Sequence, residues 1–339
     1  MCTIFATNCK KEMILAKNYD CFIRGGMIFT NKRNMKKYSL VMPPEIVFRW
    51  ESIYGSITFS QSGKGMPASG INEKGLIVEQ ATNPTTVYQR KGNTPRISCL
   101  EATQFLLDTC ENVEQAIKSF NQFRISPDSG KVHFFLADSK GKKVIIEFFE
   151  GKIVIFQNDK MVYPILTNTD YRLPYKDSKE EIFENAYAEN SFRRFCIVKE
   201  DMNKNDVIGI RESFQILQEV EREDTVWSIV YDLLNSKLYF RTYCNKFIKI
   251  IDMKSIDFSE KTSSYVYDLE NTNTNAFHME FYSRELNRKN IENFYGNEVI
   301  RKMMHLPDAA FVIDAFDQHI QRIEQSNDDL SPMSTCKII

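Results

Sequence analysis

Three apolar runs, VHFFLA (132–137), VIIEFF (144–149) and IVIF (153–156), follow one another with only short turns between them, built on Asp138-Ser139-Lys140-Gly141 and Glu150-Gly151. Connections this short cannot make the crossover that parallel pairing requires, so these runs must form an antiparallel meander. The same logic applies at both ends of the first 250 residues. Residues 3–7 and 13–17 read as strands joined by the turn-like Asn8-Cys9-Lys10-Lys11. Residues 226–232 and 237–243 pivot on 233–236, and 247–251 can add another strand. Residues 32–95 alternate short apolar runs with Gly, Pro, Ser and Asn, again strands and loops rather than helix.

Helices enter in two places. Ser98-Cys99-Leu100-Glu101 is a capping box, followed at helical spacing by Ala102, Phe105, Leu106 and Cys110. Asn112 with Gln115 repeats that signal before Ala116, Ile117 and Phe120. A polar connector over 176–220 also reads as helical, and past Leu269 the texture changes again. There Ile291, Phe294, Val299, Ile300, Met303 and Met304 suggest a helix ending before Pro307, and 308–323 another. The order strands, helices, strands, helices, strands predicts an α+β fold with helices packed on hairpin-linked sheets.

Composition restricts function mainly by exclusion. Lys plus Arg (44) nearly cancels Asp plus Glu (45), so no net field draws the chain to nucleic acid or to an anionic membrane surface. A small-molecule partner chosen by a pocket is the expectation, with homo-oligomer formation left open. No apolar run approaches the ~20 residues of a membrane span. MCTIFATNCKKEM lacks the layout of a secretory signal, which makes the cytoplasm the default location. The eight cysteines contain no CxxC pair and the four histidines do not stand at ligand spacing from them, so no metal site is expected. Most of the eight read as reduced, buried thiols.

Cys2 is the exception. Behind an initiator Met, a residue this small permits Met removal, leaving a thiol and a free α-amine on one residue. Such an amine has a reference pKa of about 7.7–8.0, close to working pH, and can relay the thiol proton to a leaving amine. Taken alone, Cys2 could equally begin a strand, and Asp20, which follows the second strand of the hairpin, could be a turn or cap residue.

The segments Cys2-Thr3, Leu15-Ala16-Lys17-Asn18-Tyr19-Asp20, Gly70-Ile71-Asn72-Glu73-Lys74-Gly75-Leu76, Leu166-Thr167-Asn168 and Ser191-Phe192-Arg193-Arg194-Phe195 occur in this order. With Trp227 to Asp232 and Tyr239 to Tyr243, they make the sequence resemble the choloylglycine hydrolase and penicillin V acylase family of linear-amide hydrolases, over roughly residues 2–258. The resemblance implies a four-layer αββα N-terminal-nucleophile sandwich of antiparallel sheets over 2–268, a helical extension over 269–324 and a flexible tail over 325–339. It implies Cys2 as nucleophile, Asp20 holding the α-amine and thiol, Asn168 donating to the oxyanion, and a backbone N–H at Thr82 or Asn83 completing the hole. Arg194 matches the family's late arginine, which the resemblance implies fixes Asp20 and the nucleophile's surroundings by forked hydrogen bonds, with the adjacent Arg193 as rival. Lys17 stands where bile-salt and penicillin members commonly carry Arg, keeping a charge near the thiol without the forked geometry.

The implied reaction is hydrolysis of an N-acyl amide through an acyl-enzyme, with no cofactor. Transfer of the acyl group to an amine is the nearest alternative, and a non-catalytic partner-binding protein of the same fold is a rival from another class. Cys336, fourth from the end, superficially resembles a lipidation box, but Lys337 is not aliphatic and Asp328 and Asp329 lie upstream; a frayed tail is the expectation.

Overall fold

The computed structural model describes the chain apart from residues 10–11, 91, 173–184, 206, 273–276, 305, 307 and 326–339. Its first strands are β1 (Cys2–Cys9), β2 (Glu12–Asp20), β3 (Met27–Asn31), β4 (Lys36–Tyr38), β5 (Arg49–Glu51) and β6 (Ser56–Ser60). Then come β7 (Ser69–Asn72), β8 (Ile77–Thr82), β9 (Arg96–Ile97), α1 (Cys99–Thr109), α2 (Val113–Ser119) and β10 (Arg124–Ile125). The meander is β11 (Val132–Ala137), β12 (Lys143–Phe149) and β13 (Lys152–Phe156), followed by β14 (Ile165–Leu166), α3 (Ala186–Lys204) and α4 (Ile210–Glu219). The chain continues through β15 (Thr225–Asp232), β16 (Lys237–Thr242), β17 (Lys249–Asp252), β18 (Tyr265–Asp268) and β19 (Glu280–Phe281) to α5 (Arg284–Tyr295), α6 (Glu298–Met303) and α7 (Ala309–Gln325).

Two antiparallel sheets carry the architecture. The six-stranded sheet runs β14-β1-β2-β15-β16-β17 and the nine-stranded sheet runs β13-β12-β11-β8-β7-β6-β3-β18-β19. Alternation along β1 shows how they stack. Ile4 and Ala6 point into a core shared with Ile57, Ile77 and Phe135 of the larger sheet, while Phe5 points the other way, onto Phe195 of α3 and Phe214 and Leu217 of α4. On the far side of the larger sheet, Val78, Phe134 and Ile146 bury Ala102, Phe105 and Leu106 of α1. Helices, sheet, sheet, helices is the αββα order expected.

Local signals held where local chemistry decides. Ser98 and Glu101 form both halves of the capping box on α1, and Asn112 caps α2 through the Gln115 N–H. The first hairpin is longer than residues 3–7 and 13–17, since pairing continues from Cys9↔Glu12 to Cys2↔Tyr19. The single helix read across 291–304 is two. Gly296 ends α5, and Asn297 turns the chain and caps α6 by accepting from the Val299 and Ile300 N–H groups. The strand β19 pairs with β18, so the larger sheet runs past the boundary drawn at residue 268. Cys336 lies outside the described residues.

One charged pair joins the sheets across the core. Lys17 of β2 and Glu79 of β8, both fully inaccessible, meet at 2.6 Å. The ammonium also donates to Ser69 Oγ at 2.7 Å and Ala68 O at 3.1 Å, and the Tyr231 hydroxyl donates to the other Glu79 oxygen at 2.5 Å. Every polar contact is internal, so losing one partner leaves an uncompensated charge. Glu79→Ala is expected to cost about 3–5 kcal/mol in urea denaturation, and Lys17→Met with Glu79→Leu much less. A loss below about 1 kcal/mol for the single variant would contradict this account of the pair.

Candidate active site

Strand register builds the site at the open end of β1 and β2. Cys2 lies opposite Tyr19, and Tyr19 opposite Trp227 of β15, so three side chains form a row across the smaller sheet. The two rings stack with centroids 4.1 Å apart and planes within 3°. A register irregularity between Thr225 and Trp227 keeps Thr225 opposite Asp20.

Asn168, two residues past β14, is buried beside this row. Its Oδ1 accepts the Cys2 backbone N–H at 2.8 Å, and one Nδ2 hydrogen goes to Thr82 O at 2.8 Å. Its own N–H donates to Ser191 Oγ at 2.7 Å, which ties the turn to α3. From the same helix Arg194 donates to Cys2 O and Thr3 Oγ1, both at 2.6 Å, and to Asn168 Oδ1 at 2.8 Å. Arg193 is exposed, so the helix face selects Arg194 between the two neighbours.

Asp20 carries the site's opposing charge. Its Oδ1 accepts from the Thr225 hydroxyl at 2.7 Å, while Oδ2 is buried without a hydrogen-bond partner among the described residues. Burial raises its carboxyl above the ordinary range, and Arg194 and the N-terminal ammonium pull it back. Arg194 therefore reaches Asp20 through space rather than by the forked contact expected. The ammonium of Met1 donates to the Asp20 carbonyl at 2.8 Å, and the Asp20 N–H returns a bond to Met1 O at 2.9 Å. With Met1 in place Cys2 is only 4% exposed.

Other expected residues take different places. Lys17 directs its ammonium to Glu79, Ser69 and Ala68 O, and that ammonium lies 5.4 Å from the ring centroid of Tyr19, the residue opposite Cys2. Asn83 gives its N–H to Lys131 O at 2.9 Å. Alternation along the β8–β11 ladder then turns the N–H of Thr82 away from β11.

Three contributors were not read from the sequence. Arg222 brings Nε to 3.8 Å from Asp20 Oδ2 while also holding Asp224, and donates to Asn190 at 2.8 Å. Thr225 opens β15 one residue before the strand read over 226–232. Tyr187, in the first turn of α3, carries a buried hydroxyl with no hydrogen-bond partner among the described residues, and burial followed by the charge of Cys2 pushes its proton affinity up. No motif signals Arg222 or Thr225, because their contacts with Asn190 and Asp20 span 32 and 205 positions.

A cavity of about 560 Å³ lies away from this site, lined among others by Lys237, Asp252, Asp257, Tyr265 and His278. Among the described residues no group of three or more His, Cys, Asp or Glu is placed to hold a metal ion, and no helix is long and apolar enough to cross a membrane.

The family described as acyl-coenzyme A:6-aminopenicillanic acid acyl-transferase matches residues 5–246. The chain belongs to this family. Its resemblance to choloylglycine hydrolases and penicillin V acylases stands alongside that membership. Penicillin V acylase of Pectobacterium atrosepticum is 28% identical over 207 residues, covering 53% of this chain and 54% of the relative. The chain thus matches about half the length of that curated relative. Among solved structures, penicillin V acylase of Agrobacterium tumefaciens superposes with a TM-score of 0.66 at 19% identity, covering 84% of this chain and 98% of that one. A mutant conjugated bile acid hydrolase of Clostridium perfringens gives 0.59 at 18%, covering 84% and 97%. These structures share the N-terminal-nucleophile hydrolase fold with this chain.

The buried Asp20 also sets a pH dependence. Because its carboxyl is raised, the native state keeps the proton to higher pH than the unfolded chain, and stability is lost as pH rises from the ordinary carboxylate range through the raised value. Asp20→Asn keeps an acceptor for Thr225, so its stability relative to the parent should improve between about pH 4 and about pH 7. Thermal melts at both values test this, and an equal difference at both would contradict it.

Proposed function

We propose that the protein hydrolyses a linear N-acyl amide, with Cys2 as nucleophile once Met1 is removed. Removal would turn the Cys2 peptide nitrogen, now held by Asn168 Oδ1 at 2.8 Å, into an amine. That nitrogen is the observation that carries the reading, because base and thiol then belong to one residue already fixed by Asn168 and Arg194. Asp20, with one free carboxylate oxygen, would hold the new ammonium or orient the thiol.

In the first half-reaction Cys2 Sγ attacks the amide carbonyl, the amine relays the thiol proton to the leaving nitrogen, and an acyl-enzyme forms. Water then attacks the thioester, giving its proton to the same amine and releasing the acid. The second Nδ2 hydrogen of Asn168 and the Thr82 N–H are the donors suited to the oxyanion; Asn83, whose N–H is engaged, is less suited. Arg194 keeps the nucleophile residue in register.

The description of the matching family favours a second reading, in which an amine replaces water as acyl acceptor. Product analysis with added amines separates the two. Intact mass should show loss of Met1 and, during turnover, an acyl adduct on Cys2. Cys2→Ala is expected to abolish hydrolysis across N-acyl amino-acid, conjugated bile-salt and phenoxyacyl amides, and Asn168→Ala to lower kcat about 10²–10³-fold. Undiminished hydrolysis in both Cys2→Ala and Cys2→Ser would end the assignment.

A further inference from the structure

The reaction outlined above leaves one fully buried titratable side chain beside the site without a task. His133 of β11 stands opposite Ala81, with its ring in the space between the two sheets. Its Nε2 lies 2.8 Å from Thr167 O, and since a carbonyl can only accept, Nε2 carries a hydrogen and donates. Its Nδ1 lies 2.9 Å from Glu147 Oε1, so these two atoms share one further proton, whichever holds it. Glu147 Oε1 also accepts the Tyr171 N–H at 2.9 Å, which fixes the carboxyl to the far side of the same turn. Asn83 Nδ2 stands 3.5 Å from Nδ1.

These contacts close a ring. Thr82 O accepts from Asn168, Asn168 follows Thr167, Thr167 O accepts from His133, and His133 reaches Asn83, the neighbour of Thr82. Cys2 N is bonded to the Asn168 corner. The two segments assigned to the oxyanion come from different sheets, Thr82 from the end of β8 and Asn168 from the turn after β14. Asn168 cannot keep an amide hydrogen aimed at a carbonyl next to Cys2 unless the spacing between the two sheets is held there.

We propose that His133, backed by Glu147, is a positioning residue for the Cys2 site, a strut between the sheets that fixes the Thr167 carbonyl and thereby aims Asn168 at the nucleophile. It touches no reacting atom. Its effect falls on the transition state, because misplacing a reacting group or its donor by about 1 Å can cost about 10²-fold in rate while barely altering ground-state binding. The proposal rests on the oxyanion role given to Asn168 above.

Two donorless variants with opposite packing effects separate the hydrogen bond from the volume of the ring: His133→Ala leaves a cavity and His133→Phe fills it. Both should lower kcat about 10–100-fold with KM within about threefold of the parent, at unchanged rates of Cys2 alkylation by iodoacetamide. Glu147→Gln, which can keep either the Nδ1 contact or the Tyr171 N–H contact but not both at one atom, should lower kcat by less than either His133 variant. Should His133→Ala fail to fold, His133→Phe carries the test. Crystals of either variant are expected to show Asn168 Oδ1 displaced from Cys2 N. Kcat of His133→Phe within about threefold of the parent, or Asn168 still on Cys2 N in the crystals, would overturn the proposal. If the parent cleaves no amide, the hydrolase reading fails by itself, and the position of Asn168 alone decides whether His133 is a strut.

Discussion

The register of β1 against β2 is the constraint on which the rest of the molecule depends. Cys2 opposite Tyr19 places Cys2, Ile4 and Ala6 on the face shared with the larger sheet and Phe5 on the face covered by helices. A slip of one residue would exchange these faces, sending the thiol toward α3 and Phe5 into the intersheet core. Nothing in a two-stranded ribbon forbids that slip. It is resisted by groups from outside the ribbon: Asn168 on the Cys2 nitrogen, Arg194 on the Cys2 carbonyl and Thr3 hydroxyl, and the Lys17–Glu79 pair two residues along β2 from Tyr19. The polar groups that hold Cys2 are thus also among those that set the register.

Such an arrangement carries an energetic burden. Lys17, Glu79, Asp20 and Arg194 are all buried, and burial opposes the charged form of Glu79, Asp20 and Arg194. Lys17 and Glu79 answer this with a full set of internal bonds, as expected of a pair whose task is to hold two sheets together. Asp20 does not, because its Oδ2 has no hydrogen-bond partner among the described residues and meets Arg222 Nε only at 3.8 Å. The pair thus holds the two sheets together, while the carboxylate at the end of the same strand keeps capacity for one more donor.

What the sequence disclosed follows the range of the interactions involved. Hairpins and capped helices depend on residues within about ten positions of each other, and the meander, the late hairpin, the Ser98 box and the Asn112 cap were all legible. Sheet order is decided by contacts between strands distant in the chain, about 50–60 residues for β8 with β11 and over 200 for β2 with β15. The neighbouring of β2 with β15, and of β8 with β11, left no local trace. The break between α5 and α6 was missed because apolar spacing runs through Gly296-Asn297 unchanged, and only the cap reveals it. In the site, Cys2, Asp20, Asn168 and Arg194 could be named by resemblance, and they do gather around one strand end. Lys17 was named by the same route, yet it is claimed by Glu79, a partner 62 residues away that no motif announces.

The position of the chain's first charge connects these observations. With Met1 present, the ammonium sits on the Asp20 carbonyl, and Asp20 Oδ2 is left facing Arg222 at 3.8 Å. Shortening the chain by one residue would bring that charge back to the Cys2 nitrogen, where Asn168 Oδ1 already accepts a hydrogen. An ammonium has three hydrogens where the peptide nitrogen has one, so the two new donors require acceptors inside a buried site. Asp20 offers its second carboxylate oxygen, the first being held by the Thr225 hydroxyl at 2.7 Å. The deficit at Asp20 and the surplus created at Cys2 are complementary, so a group poorly satisfied in the longer chain would become well satisfied in the shorter one. That complementarity would account for a buried carboxylate at the end of β2 whose one oxygen is bonded by Thr225 while the other meets Arg222 only at 3.8 Å.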